Sequence, residues 1–150
     1  MDKQQEIKIV NSWLQDMSTV LGADLSLDSE GLCSFQIGQD VFVIEVSHDF
    51  PMVTINSTLM ALPIDNKELS IALMSKSLEL NAFQILTRGG AIAMAPGGGL
   101  LIYCYSTPIT DLDSVKFSNI LGAFFDSANE LKRLLLETHD ESASLSKIKG

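Results

Sequence analysis

Few side chains in this sequence are able to do chemistry, and their spacing does not favour it. The two histidines are His48, beside Asp49, and His139, ahead of Asp140 and Glu141. Either pair, joined by one of the many serines, would make a small Ser/His hydrolase. No serine sits in a Gly-x-Ser-x-Gly elbow, however, so nothing marks a nucleophile. Two histidines so far apart, without Cys or His at ligand spacing, make a poor metal site. Cys33 and Cys104 lack Cys-x-x-Cys spacing and read as reduced thiols packed like small hydrophobes. Pro96-Gly97-Gly98-Gly99-Leu100 lacks the Gly-Lys-Ser/Thr ending of a phosphate loop. A strand pattern follows it instead of a helix, so it reads as a hairpin turn. Asp111 and Asp113 suit a helix start, and Asp28 and Glu30 a polar loop; glycoside chemistry would need a cleft and a raised pKa. The expectation is a protein with no catalytic residue, no metal and no cofactor.

The elements around these residues follow from hydrophobic period. Ile7, Val10, Leu14, Met17 and Leu21 recur every three or four residues and predict a helix over 3–21, closed by Gly22. Ile9 and Trp13 form a second stripe beside the first. Cys33, Phe35 and Ile37 alternate with Ser34 and Gln36, the period of a half-buried strand. Val41 to Val46 is apolar on nearly both faces, as a central strand is, and Met52 to Leu62 supplies a third strand. A second helix starts near Asp65 or Asn66. Its Leu69, Ile71, Ala72, Leu73, Met74, Leu78 and Leu80 cover more than half its circumference, so it must be buried on more than one side. Strands over 91–95 and 100–106 flank the glycine turn. A long helix from Thr110 or Asp111 carries Leu112, Val115, Ile120, Leu121, Phe124, Ala128, Leu131 and Leu135 on one face. From Thr138 to Gly150 the composition turns polar and serine-rich, which predicts a frayed, flexible tail. The expected fold is a single α+β domain over 1–137, in the order α-β-β-β-α-β-β-α, with a twisted antiparallel sheet packed by helices.

Composition narrows the function classes. The 150 residues are 46% hydrophobic and 19% charged, with a formal net charge of −9. The mean hydropathy of +0.23 is high for a small soluble chain and points either to an unusually rich core or to apolar surface kept for a partner. From Ile9 to Asn66 there is no Lys or Arg, while eight acids fall in the same stretch. Such a surface suits a polypeptide and fits badly with nucleic acid or anionic membrane. The polar start, Met1 to Lys8, is no secretory signal, and no apolar run is long enough to span a bilayer, so the chain is expected to be cytoplasmic.

Three local features carry a family resemblance. Leu32-Cys33-Ser34-Phe35-Gln36-Ile37 and the Val41–Val46 strand follow Gly22-Ala23-Asp24 and Asp28-Ser29-Glu30-Gly31. Leu62-Pro63-Ile64-Asp65-Asn66 precedes the second helix, and a glycine-rich turn separates the last two strands. With the element order and the acidity, these make residues 3–137 resemble the class I type III secretion chaperones, the CesT/Tir-chaperone-like family. The resemblance implies a noncatalytic homodimer acting in protein secretion and virulence. Leu69, Leu73, Met74 and Leu78 would lie at the dimer interface. The N-terminal segment of a secreted effector would wrap around the dimer, adding a strand to a sheet edge and docking apolar side chains. Ile9, Trp13, Phe35, Ile37, Phe42, Ile44 and Val53 are the candidate effector-binding residues, and Trp13→Glu is expected to abolish capture while leaving the fold intact. Which sheet face is groove and which is core stays open. The secretion ATPase is a further implied partner. A noncatalytic regulatory or scaffold domain that holds a folded protein is the alternative reading, with the hydrolase behind it.

Overall fold

The computed structural model describes residues 1–149, with side chains to Leu145. The first helix, α1 (Lys3–Leu21), is fixed at both ends by its own sequence. Asp2 accepts from the Gln5 amide at 2.9 Å while the Gln5 side chain accepts from Asp2 N–H at 3.0 Å, a reciprocal cap. Gly22 ends it with φ 68°, its N–H donating to Ser18 O.

Strands β1 (Leu32–Ile37), β2 (Asp40–Val46) and β3 (Met52–Ala61) follow as an antiparallel meander. The helix α2 (Lys67–Asn81) is capped by Asn66, whose side chain accepts from Leu69 N–H at 3.1 Å. Strands β4 (Ala91–Met94) and β5 (Leu100–Pro108) pair antiparallel, with Ile92 opposite Tyr103. The sheet order is β1-β2-β3-β5-β4. Two backbone bonds, Ile109 N–H to Pro51 O and Leu62 N–H to Gly99 O, set β3 and β5 antiparallel.

The last helix, α3 (Ser114–Lys149), departs from expectation at both ends. It begins after a short 3-10 turn at Ile109–Asp111, because Asp113 supplies the cap through its Oδ1 to Lys116 N–H at 2.8 Å. It also stays helical past Thr138, where a frayed tail is expected: 139–149 contains neither Gly nor Pro to stop it. Gly150, the end of that expected tail, lies outside the described residues. Among the described residues no helix is long and apolar enough to cross a membrane.

The chain forms two compact units. The first is Met1–Ser57 with Tyr105–Ala123. Its core is Val10, Leu14, Phe42, Ile44, Val46, Val53, Ile55, Phe117 and Leu121, with Trp13 tilted against Phe117 at 5.4 Å between ring centres. The second is Thr58–Cys104 with the described residues from Phe124 on. Tyr103 is its centre: the ring stacks on Phe124 at 4.4 Å, and its hydroxyl donates to Thr87 O at 2.7 Å. Gly90 must be glycine, since a Cβ there would lie 2.5 Å from Cys104 O.

Candidate interaction surface

The register of β1 with β2 decides what the sheet edge can offer. The Gly38–Gln39 turn, with Gly38 at φ 62°, puts Ile37 opposite Asp40 and Phe35 opposite Phe42. In an antiparallel hairpin with a two-residue turn these are the hydrogen-bonded pairs. The backbone groups of Ser34 and Gln36 therefore point away from β2, along the outer edge. At Leu32 the edge is closed, because Asp28 donates its N–H to Leu32 O and accepts from Leu32 N–H. The open stretch is thus short and lies between Asp28 and the turn.

At the opposite margin β4 is covered. Asn81, the last residue of α2, donates to Ile92 O at 3.0 Å and accepts from Ile92 N–H at 2.8 Å, occupying the outward groups of a strand only four residues long.

The structure settles which face is core. Phe42, Ile44, Val46, Val53 and Ile55 are buried, whereas Val41, Val43, Glu45, Thr54 and Asn56 form the other face. It divides the seven candidate effector-binding residues accordingly. Trp13, Phe42, Ile44 and Val53 fill the core of the first unit. Phe35 stays half-buried, stacked on Phe42 at 5.6 Å, and Ile37 is 41% exposed at the turn. Ile9 is half-buried on α1. Seven and eleven residues on from it, Asp16 and Val20 share its helix face and line a cavity of about 280 Å³ completed by Met17, Leu21, Ser114, Val115, Ser118 and Asn119. Ser114 donates to Asp16 Oδ2 at 2.8 Å across it. Because Trp13 is packed against Phe117, Trp13→Glu would bury an unpaired charge and test folding instead of capture.

The four candidate interface residues divide in the same way. Leu69 and Leu73 are buried within the second unit, Met74 is half-buried and Leu78 is 72% exposed. Met74 and Leu78 line a cavity of about 220 Å³ with Ser77, Ile92, Ala93, Met94 and Leu101. The same unit exposes Phe83 by 90%, at φ 63°, a backbone conformation unusual for an aromatic residue. Sequence reasoning missed Phe83 and Ile85; the signal was present, as two large apolar residues just beyond a helix end and outside any periodic stripe.

The groups considered for chemistry are scattered. His48 is exposed, within 2.8 Å of Lys3 Nζ and 3.8 Å of Glu30 Oε2. His139 lies 3.5 Å from Asp140 on the surface of α3. Burial pushes the thiols of both Cys33 and Cys104 up, and Asp28 adds to the effect at Cys33 against a lowering backbone hydrogen bond from Ser26. Neither is set up as a nucleophile. No group of three or more His, Cys, Asp and Glu able to hold a metal occurs among the described residues.

Comparison with known proteins gives a consistent picture. Residues 12–132 match the model of the Tir chaperone protein (CesT) family. A sequence search of the curated proteins returns no match. Among solved structures, a chain of the ExsC–ExsE complex is 19% identical with a TM-score of 0.69, over 90% of this chain and 97% of that one. A chain of the heterodimeric ExoU–SpcU complex, from the type III secretion system of Pseudomonas aeruginosa, is 16% identical with a TM-score of 0.62, over 86% and 96%. A chain from the complex of the Yersinia pestis type III secretion chaperone SycH with a stable fragment of YscM2 is 15% identical with a TM-score of 0.56, over 81% and 98%. At such identities the likeness is one of fold.

Proposed function

Because the chain belongs to the Tir chaperone protein (CesT) family, we propose that it is a cytoplasmic chaperone for one or more type III secreted effectors, holding an N-terminal effector segment soluble and partly unfolded. The observation that carries this reading is the short open edge at Ser34 and Gln36, flanked by Phe35 and Ile37 and set in a stretch without Lys or Arg. An extended effector segment adds there as a strand, and its apolar side chains leave water against Phe35 and Ile37. No ATP or cofactor is needed for that step, since the driving force is burial and backbone pairing. The acidity favours encounter with basic segments.

The working unit is a homodimer joined through the second unit. Its α2 leaves Ile71 and Leu78 exposed and Met74 half-buried beside β4, an apolar face that a second copy covers. Delivery then involves the secretion ATPase as a further partner.

Hydrogen exchange on a copurified complex tests the reading. An effector segment that gains protection in a few residues while the rest of the segment exchanges as an unfolded chain supports it. A bound partner protected throughout would instead mark a regulatory or scaffold domain holding a folded protein.

A further inference from the structure

One carboxylate in the first unit belongs to neither of the surfaces described above. Glu6, in the first turn of α1, is only 6% exposed. Its N–H donates to Asp2 O, but no hydrogen bond or ion pair among the described residues engages its carboxylate. Glu6 lines an open cavity of about 300 Å³, whose other walls are Met1, Lys3, His48, Asp49, Phe50, Pro51, Ile109 and Thr110. The nearest basic side chain in sequence, Lys3, turns its Nζ to the His48 ring at 2.8 Å and does not pair with Glu6. Phe50 stands at the cavity, largely exposed, next to Pro51.

We propose that this cavity takes an arginine side chain of the bound effector segment, with the guanidinium paired to Glu6 and its planar face against Phe50. The inference rests on the chaperone reading for the source of the arginine, though not for the site itself. The chemistry selects arginine over lysine. A guanidinium can bond a carboxylate through two parallel N–H groups and stack on an aromatic ring at once, which a compact ammonium cannot do. Asp49 adds negative potential at the rim, and Pro51 and Ile109 cover the methylene stem.

The test uses the whole protein and no effector. Nα-acetyl-arginine N-methylamide is titrated into isotope-labelled protein and followed by amide chemical shifts, with the citrulline and lysine analogues as comparators. The expected result is saturable shifts centred on Glu6, Asp49, Phe50 and Thr110 with arginine, none with neutral citrulline, weaker ones with lysine, and a loss of about tenfold or more in Glu6→Gln. Equal binding of citrulline, equal binding of lysine, or shifts spread without saturation over the acidic surface would overturn the assignment, as would an unchanged Glu6→Gln. If Glu6→Gln loses its native spectrum, Asp49→Asn in the exposed loop carries the test, with a severalfold loss expected and no change contradicting the proposal. A protein that captures an effector but ignores arginine refutes this site alone. One that binds arginine at Glu6 but carries no effector refutes the chaperone reading instead.

Discussion

The side-chain amide of Asn81 binds both backbone groups of Ile92, donating at 3.0 Å and accepting at 2.8 Å. One end of α2 thereby occupies the outward edge of β4, while β1 keeps the outward groups of Ser34 and Gln36 unpaired by any strand. The asymmetry leaves β1 as the edge for the proposed strand addition and gives a paired test. Ser34→Pro removes an outward N–H that no ladder bond uses, so it should leave thermal stability nearly unchanged and weaken effector capture about tenfold or more. Asn81→Ala should cost about 1–3 kcal/mol by orphaning Ile92 and leave capture intact. Denaturant melts with pull-down of an effector segment check both.

Phe35 and Phe42 face each other across the hairpin, but only Phe42 is core. Phe42→Ala should cost about 3–5 kcal/mol of stability. Phe35→Ala should cost distinctly less and instead weaken capture. A calorimetric melt beside a binding isotherm separates them, and equal stability losses would contradict the assignment of Phe35 to the surface.

Leu78 tests the proposed dimer. With its side chain largely in solvent, Leu78→Glu should change the stability of the protomer by no more than about 0.5 kcal/mol. It should convert a dimer to a monomer in light scattering, and a variant that stays dimeric would remove α2 from the interface.

The hairpin and helices were legible from period alone, because their apolar residues recur at two or at three and four. The start of α3 was not, since Asp111 and Asp113 are both sound caps and only the local chain path selects Asp113. Phe117, fully buried, was missed because counting from Val115 put it off the stripe; Val115 itself is exposed. At the candidate surface, alternation identified Phe42, Ile44 and Val53 as one face without saying which, since either face of an apolar strand pairs equally well on paper. Glu6 gave no signal, because an acid in a first helical turn is ordinarily explained by the helix dipole.

The cysteines predict a pH dependence. Burial raises both thiols above the ordinary value of 9.0, so the folded chain holds those protons more tightly than the unfolded one. Their contribution to stability is fully present below about pH 9 and is lost as the pH rises through the folded values. Denaturant midpoints measured from pH 8 to 11 should therefore fall, and a Cys33→Ala/Cys104→Ala variant should fall less.

The most direct test of the central claim is the native mass of the protein purified from its source cells, by light scattering, with mass spectrometry of whatever accompanies it. The account predicts a dimer carrying a secreted protein, bound through that protein's N-terminal region and released by denaturant. A bare monomer with no passenger would contradict it.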